Sequence, residues 1–186
     1  MTDRIWTISN SISISRVLFL VPLAYCLFGD FENNRLWAAG VIVLATGTDF
    51  LDGFLARRLH QVSEMGKIVD PLADKIAVGT LALFLVILGD VPIWYVVAII
   101  LRDVLILAGG IYIKKKKNIV TQSNWPGKLA VSAIALYLLF STMMIDSLET
   151  WRMYSLWLSV AIMVFSLIIY TQRLFIGRQV PQEQAQ

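Results

Sequence analysis

The sequence predicts an all-α fold, an integral membrane bundle of six transmembrane helices with a short N-terminal interfacial helix. Of the 186 residues, 58% are hydrophobic, and the mean hydropathy is +0.70. Both values are typical of membrane proteins and exclude a large soluble domain. The apolar residues fall into six segments, several of them close to the roughly 20 residues that a helix needs to cross hydrocarbon. The length predicts a single membrane domain over residues 1–186.

The N-terminal segment Thr2–Ser15 mixes isoleucines with polar residues, so part of it is predicted to lie as an amphipathic helix in the membrane interface. Six apolar spans follow, and short polar turns separate them. The turn Gly89–Pro92 contains helix-breaking residues, and a polar linker reaches Pro126. The predicted spans are Ser13–Phe28, Leu36–Leu55, Gly66–Leu88, Ile93–Ile113, Lys128–Ile145 and a sixth that follows the turn Asp146–Arg152 and ends near Ile176.

The basic residues predict how the spans are oriented. Six spans place both termini on one side of the membrane, and all but three of the 16 lysines and arginines fall at ends or loops on that side. By the positive-inside rule this side is cytoplasmic, in the inner membrane of a bacterium. The exceptions are Arg35 and Arg152 on the opposite side and Arg102 within the fourth span. The net charge of +3 gives no reason to expect a nucleic-acid partner.

Four aspartates lie in or beside the apolar spans, in two pairs: Asp49 with Asp52, and Asp70 with Asp74. A carboxylate at membrane depth costs roughly 3 kcal/mol or more, so such residues are functional candidates. Spacings of three and four put each pair on one helix face. The second span runs toward the cytoplasm and the third runs away from it, so all four are predicted near one depth.

Three interpretations of the aspartates remain open from the residues alone. They could be neutralised by nearby basic residues and hold two helices together, or they could form part of an ion pathway. The third interpretation is a two-metal site for phosphoryl transfer, because paired carboxylates offer the hard oxygen ligands that suit Mg²⁺ or Mn²⁺. Such ions would clamp a pyrophosphate.

The stretch resembles the signature of the CDP-alcohol phosphatidyltransferase family at all eight fixed positions. It reads Asp49-x-x-Asp52-Gly53-x-x-Ala56-Arg57, eight residues, then Gly66-x-x-x-Asp70-x-x-x-Asp74. The resemblance extends to the six predicted spans and the chain length. It implies a membrane enzyme that moves a phosphatidyl group from CDP-diacylglycerol to an alcohol and releases CMP. It also implies two divalent metal ions, Mg²⁺ or Mn²⁺, and a homodimer.

The resemblance assigns roles to individual residues. Asp49, Asp52, Asp70 and Asp74 would bind the metal ions, with Asp70 bridging them. Asp74 would be the general base for the acceptor hydroxyl, which makes Asp70 and Asp74 the expected catalytic pair. The residues expected to receive the CDP group are Asp52, Gly53, Ala56, Arg57 and Gly66.

The acceptor alcohol is less well determined. Two motifs, Asp70-Pro71-Leu72-Ala73-Asp74-Lys75 and Asn10-x-x-Ser13-x-x-Arg16, resemble the phosphatidylglycerophosphate synthase and CMP-forming cardiolipin synthase branches. Within these branches, Arg102-Asp103-Val104 and Trp125-Pro126-Gly127-Lys128 look more like cardiolipin synthases. Glycerophosphate activity is the commoner role for a single chain of this size, so glycerol 3-phosphate is the expected acceptor and phosphatidylglycerol the alternative.

Arg16, Arg102 and Lys128 are the candidate acceptor-binding residues, since cations suit an acceptor that carries phosphate. A purely structural role for Arg102, paired with Asp103 or with carbonyls of another helix, stays open. An intramembrane prenyltransferase and a cation transporter are the alternatives from other classes. A transporter would show charged or broken elements in several spans, whereas only the fourth span has a charge near its middle.

Overall fold

A computed structural model shows that the described part of the chain is helical, as the sequence predicted. It describes the backbone of residues 8–58, 66–117 and 125–176, and the side chains of residues 18–48, 73–110 and 125–172. Six α-helices and one 3-10 turn, Asp146–Leu148, lie within these residues. The helices are α1 (Ile8–Phe28), α2 (Asn34–Arg58), α3 (Gly66–Ile87), α4 (Ile93–Lys117), α5 (Trp125–Met143) and α6 (Glu149–Ile176).

Several helices extend beyond the apolar spans that predicted them. Helix α2 continues through Arg58 and α4 through Lys117, beyond the predicted ends at Leu55 and Ile113. Lysine and arginine are good helix formers, and positive charge in the last turn is favoured by the helix dipole. A helix therefore need not end where its apolar stretch ends.

The turn before the last helix is shorter than predicted. Helix α5 ends at Met143, because Met144 adopts a left-handed conformation with φ 48° and Ile145 is extended. Helix α6 begins at Glu149, so the predicted turn Asp146–Arg152 is wrong over its second half. The sequence signal for this start is Glu149 in the first turn, which pairs with Arg152 at 2.7 Å.

Helix α1 is continuous from Ile8 to Phe28, across the predicted junction between an interfacial segment and the first span. Residues 1–7 lie outside the described part. The N-terminal interfacial helix therefore stays a prediction.

Three helical segments within the described residues are long and apolar enough to cross a membrane. They are Ile93–Gly110, Trp125–Met143 and Asp146–Gln172. In the first of them only 17% of the residues are buried inside the protein, so most of its apolar side chains need cover from lipid or from another chain. The length and composition of these segments indicate a membrane protein. The total of six spans stays a prediction.

The described helices divide between two compact units, and the division falls within α4, α5 and α6. The first unit takes the described residues of Met1–Val96 and Leu138–Arg152, and the second those of Val97–Tyr137 and Met153–Gln186. In the first unit α1 contacts both α2 and α3, for example through an edge-to-face pair of Phe28 and Phe84 rings 5.4 Å apart.

In the second unit, α5 and α6 each bury one face. The buried positions of α5 recur at intervals of three and four residues, as expected for one helix face. Those of α6 include three serines among larger side chains. The buried residues are Ala130, Ala133, Ile134 and Tyr137 on α5, and Ser155, Leu156, Ser159, Met163, Ser166 and Tyr170 on α6.

A Schellman motif ends α3 and positions a buried carboxylate. The N–H of Asp90 donates to the carbonyl of Leu85 at 2.9 Å, and the N–H of Gly89 donates to Val86 at 3.0 Å. Gly89 takes φ 80°, which glycine adopts without strain. The side chain of the following residue, Asp90, is only 4% exposed.

Asp90 connects the ends of three helices within the first unit. Its carboxylate pairs with Arg35 of α2, which is 55 residues away in sequence. Its backbone carbonyl accepts a 3.4 Å hydrogen bond from Arg152 Nη1 of α6, and Arg152 also pairs with Glu149. We refer to Arg35, Asp90, Glu149 and Arg152 as the ionic network.

Exposed tryptophans accompany the ionic network. Trp37, Trp94 and Trp151 are each 46% to 64% exposed and lie within four residues of a network member. The network therefore brings the three to the same end of the first unit. Exposed tryptophans at one level are typical of a membrane–water interface, so this end fits the interface that the sequence predicted there.

We expect Gly89→Ala to destabilise the protein by about 1 kcal/mol, because an alanine at φ 80° is strained. No atom of the described residues lies within 4 Å of the added Cβ, so strain accounts for the expected loss. Gly79→Ala, inside α3 with equally open space, is the matched control and should be neutral or stabilising. Thermal unfolding in detergent measures both, and equal midpoints for the two variants would contradict the strain argument.

We expect Asp90→Ala to destabilise the protein by about 3 kcal/mol, because Arg35 would lose its partner in a largely buried site. Asp146→Ala removes an exposed carboxylate from the loop before α6 and should cost about 0.5 kcal/mol or less. The same unfolding measurement checks both. A small loss for Asp90→Ala would mean that the ionic network contributes little.

Candidate functional site

Helices α2 and α3 carry the four aspartates of the predicted metal site. Asp49 and Asp52 lie in the last half of α2, and Asp70 and Asp74 lie in the first half of α3. The backbone is helical at all four positions, so spacings of three and four give each pair a common face. Except for Asp74, their side chains lie outside the described residues, and their role as ligands stays a prediction.

The predicted CDP-binding residues fall on the same two helices. Gly53, Ala56 and Arg57 lie in α2, and Gly66 is the first residue of α3. Arg16, a candidate acceptor-binding residue, lies in α1, which contacts both α2 and α3. The surroundings of these residues are outside the part of the chain whose side chains the structure describes.

The ionic network gives a common reference for the positions of the four aspartates. The pair of Arg35 with Asp90 joins the start of α2 to the end of α3, so the distance of each aspartate along its helix can be measured from the same end. At 1.5 Å per residue, the four aspartate positions lie about 20–27 Å along the helices from it. The similar distances on α2 and α3 support the prediction that all four share one depth.

Asp74 is the member of the predicted metal site whose side chain is described, and it is exposed. The preceding residue, Ala73, is buried, so α3 packs through one side and presents Asp74 on another. No group of three or more His, Cys, Asp or Glu side chains that could hold a metal ion occurs among the described residues. The side chains of the other three aspartates lie outside this set.

Arg102 of α4 is buried in the second unit. Its Nη1 donates to Asp103 Oδ1 at 2.9 Å, and its Nη2 donates to Ser166 Oγ of α6 at 3.1 Å. The Nε atom is also buried, and it has no hydrogen-bond partner among the described residues. The ion pair with Asp103, which the sequence left open, is therefore confirmed. A buried N–H without a partner is costly, so the unsatisfied Nε marks a position where an anion could bind.

The first turn of α5 lies beside this guanidinium. A Cβ atom built on Gly127 would be 3.7 Å from Arg102 Nη2, so the glycine leaves the guanidinium edge open. The next residue is Lys128, whose side chain is exposed. Arg102 thus lies beside the first turn of α5, which also carries Lys128. The N–H groups of a first helical turn carry partial positive charge, which adds to the attraction for anions.

Ser166 is a site residue that the sequence did not indicate. A serine in an apolar span commonly bonds its own helix backbone, as Ser159 does by donating to the carbonyl of Leu156 at 2.7 Å. Ser166 instead accepts a hydrogen bond from a residue 64 positions earlier. The only signal in the sequence is that Ser155, Ser159 and Ser166 recur on one face of the last helix, which does not identify the partner.

The sequence as a whole matches a known family over most of its length. The family model for CDP-alcohol phosphatidyltransferase matches residues 6–169. The chain belongs to the CDP-alcohol phosphatidyltransferase family. The match contains all eight signature positions on α2 and α3, together with Arg102, Gly127, Lys128 and Ser166.

Relatives within the family carry two different names. The chain is 32% identical to a CMP-forming cardiolipin synthase of Streptomyces coelicolor over 133 residues, which are 69% of this chain and 61% of the relative. It is 38% identical to the human CMP-forming cardiolipin synthase over 110 residues, 59% of this chain and 36% of the relative. The chain thus spans less than two thirds of the length of these cardiolipin synthases.

A relative with the second name is matched over a larger share of its own length. A CDP-diacylglycerol–glycerol-3-phosphate 3-phosphatidyltransferase of Bacillus subtilis is 30% identical over 150 residues. These residues are 71% of this chain and 78% of the relative. This CDP-alcohol phosphatidyltransferase is therefore similar to proteins of both branches, and identity alone does not choose between them.

Proposed function

We propose that this protein transfers a phosphatidyl group from CDP-diacylglycerol to glycerol 3-phosphate, forming phosphatidylglycerophosphate and releasing CMP. The observation that carries the proposal is the complete eight-residue signature on two helices, within a family match over residues 6–169. Among the named relatives, the glycerophosphate enzyme is covered over the largest share of its own length. In this role the protein would serve phospholipid biosynthesis.

The donor site in this proposal is formed by the four aspartates. Carboxylate oxygens are the ligands that Mg²⁺ and Mn²⁺ prefer, so the donor set of Asp49, Asp52, Asp70 and Asp74 fits two such ions. When bound, the ions neutralise charge on the pyrophosphate and on the leaving phosphate. The exposure of Asp74 supports the proposal, because a general base must be accessible to substrate.

Small and cationic residues beside the aspartates would receive the nucleotide. Gly53, Ala56 and Gly66 are small residues that would allow close approach of the cytidine group, and Asp52 would contribute to the same site. Arg57 would offer a planar pair of N–H donors to a phosphate. The acyl chains of the donor can remain in lipid while its head group reaches this position.

The proposed reaction breaks the phosphoanhydride bond of CDP-diacylglycerol and forms a phosphoester bond to the acceptor. The acceptor hydroxyl oxygen attacks the phosphorus that bears the diacylglycerol, while its proton passes to the Asp74 carboxylate. The bond from this phosphorus to the bridging oxygen breaks, and that oxygen leaves with CMP. Asp70 would act as a metal ligand in this step, and no covalent enzyme intermediate is required.

Arg102 and Lys128 would bind the phosphate of the acceptor. The unsatisfied Nε of Arg102, the open edge beside Gly127 and the first turn of α5 support this assignment. The Asp103 carboxylate compensates part of the positive charge of Arg102. Because this weakens the attraction of Arg102 for an anion, the phosphate would need further donors besides the arginine. Arg16 is proposed as a further cation at the acceptor.

A second candidate function is cardiolipin synthesis, with phosphatidylglycerol as the acceptor. It is favoured by the two CMP-forming cardiolipin synthases, which are 32% and 38% identical to the chain. Both acceptors contain a glycerol hydroxyl and a phosphate group, so the donor site and the chemistry are unchanged.

The proposed setting is the bacterial inner membrane, with six spans, a cytoplasmic active site and cytoplasmic termini. The three apolar helical segments and the exposed tryptophans support this arrangement. The protein is further proposed to be a homodimer within membrane lipid, in which a second copy covers part of the exposed apolar surface.

The test of the proposal is CMP release from CDP-diacylglycerol by the purified full-length protein in detergent with Mg²⁺. Glycerol 3-phosphate and phosphatidylglycerol are supplied in separate reactions. We expect CMP and phosphatidylglycerophosphate with the first acceptor. Cardiolipin formation with the second acceptor alone would establish the second candidate, and no CMP with either acceptor from a folded protein would refute the proposal.

We expect Asp70→Asn to abolish CMP release while the protein still inserts into membranes, because the amide would remove one negative charge from the proposed metal-ligand set. Asp30→Asn, an exposed carboxylate in the turn before α2, is the control and should retain full activity. Turnover close to wild type in Asp70→Asn would show that the metal assignment is wrong.

We expect Arg102→Lys to raise the KM for the acceptor by about tenfold or more, since an ammonium cannot reproduce two orientated donors on one plane. The KM for CDP-diacylglycerol should change by less than about twofold, because the donor is bound by other residues. Equal losses for both substrates would indicate that Arg102 supports the fold and not the acceptor.

A further inference from the structure

Ser166 occupies an unusual position for a serine in an apolar helix. It is buried, and its Oγ accepts a 3.1 Å hydrogen bond from Arg102 Nη2 across a sequence separation of 64 residues. Ser159, two turns earlier on the same face, satisfies its hydroxyl within α6. Both serines are buried on the same helix, and Ser166 is the one that accepts a hydrogen bond from Arg102. Comparing the two therefore separates the loss of a buried hydroxyl from the loss of the contact with Arg102.

The hydrogen bond from Arg102 limits the orientation of its guanidinium plane. Arginine has five N–H bonds in a rigid plane, so two contacts on different nitrogens fix the direction of the others. Asp103 engages Nη1 and Ser166 engages Nη2, whereas Nε remains without a partner among the described residues. The two anchored nitrogens therefore determine where the Nε–H bond points.

The two partners of Arg102 lie on different helices. Asp103 is its neighbour in sequence and lies on the same helix, so this pair alone does not relate the guanidinium to another helix. Ser166 is on α6 and provides a reference point outside α4. Gly127, on α5, keeps the space beside Nη2 free.

We infer that Ser166 is a positioning residue that orients Arg102 for binding the phosphate of the acceptor. This inference rests on the proposed function, in which Arg102 binds that phosphate. Ser166 does not contact the substrate; it acts by holding Nη2 so that the Nε edge is presented to the anion. The ligand that Arg102 would bind is a phosphate group in both cases, either that of a soluble phosphomonoester or that of a lipid phosphodiester.

The first test is steady-state kinetics of Ser166→Ala in the full-length protein, with glycerol 3-phosphate and phosphatidylglycerol in separate arms. We expect the KM for the acceptor that is used to rise about tenfold, the size of effect typical of an outer partner on the group it orients. The turnover number and the KM for CDP-diacylglycerol should change by less than about twofold. Ser166→Thr keeps a hydroxyl and should restore most of the affinity.

Ser159→Ala is the matched control, since it deletes an equally buried hydroxyl from the same face of α6. It should leave the KM for the acceptor unchanged. The inference is overturned if Ser166→Ala binds the acceptor as wild type does, if the two alanine variants lose affinity equally, or if donor and acceptor KM rise together.

A binding measurement separates this inference from the proposed function. Calorimetric titration with glycerol 3-phosphate, and separately with inorganic phosphate, reports anion binding without turnover. Weaker binding by Ser166→Ala than by Ser159→Ala supports the inference, and equal binding or no binding by wild type overturns it. If the wild-type protein releases no CMP with either acceptor, the proposed function fails, and this titration alone decides the role of Ser166.

Discussion

A charge inside an apolar helical protein must have a partner, and this requirement accounts for the main features of the described structure. Asp90 is nearly fully buried, and its pair with Arg35 joins the start of α2 to the end of α3. That connection gives the two aspartate-bearing helices a common end. Measured along the helices from this end, the four aspartates lie at similar distances, which supports the prediction that they share one depth.

The same requirement has a different outcome at Arg102. Asp103 balances its charge and Ser166 satisfies one more N–H, but the Nε–H remains unsatisfied within the described residues. At Asp90 the partners join the ends of three helices, whereas the guanidinium of Arg102 lies beside Gly127 in the first turn of α5. These surroundings are the physical basis for treating the first as part of the fold and for proposing the second as part of a binding site.

Much of the fold was accessible from local sequence patterns. Apolar length and helix-breaking turns predicted all six helices, and the predicted C-terminal ends at Phe28 and Ile176 agree with α1 and α6. The predicted helix bounds are wrong where polar residues belong to a helix, as at Lys117 in α4 and Glu149 in α6. Hydrophobicity indicates which residues lie in lipid, whereas a helix extends as far as its backbone hydrogen bonds do. The signature spacing identified the family that the comparison over residues 6–169 then established.

The sequence by itself determined the helical class, the membrane character and the family, because each depends on residues close together in the chain. Tertiary structure alone decided that Arg35 pairs with Asp90 and that Arg102 reaches both Ser166 and the first turn of α5. These contacts join residues 25 to 64 positions apart. Helical periodicity predicts which residues share a face of one helix, but it does not predict which other helix packs against that face. The residues proposed to bind the acceptor are of this second kind, which is why the sequence identified the donor chemistry more firmly than the alcohol.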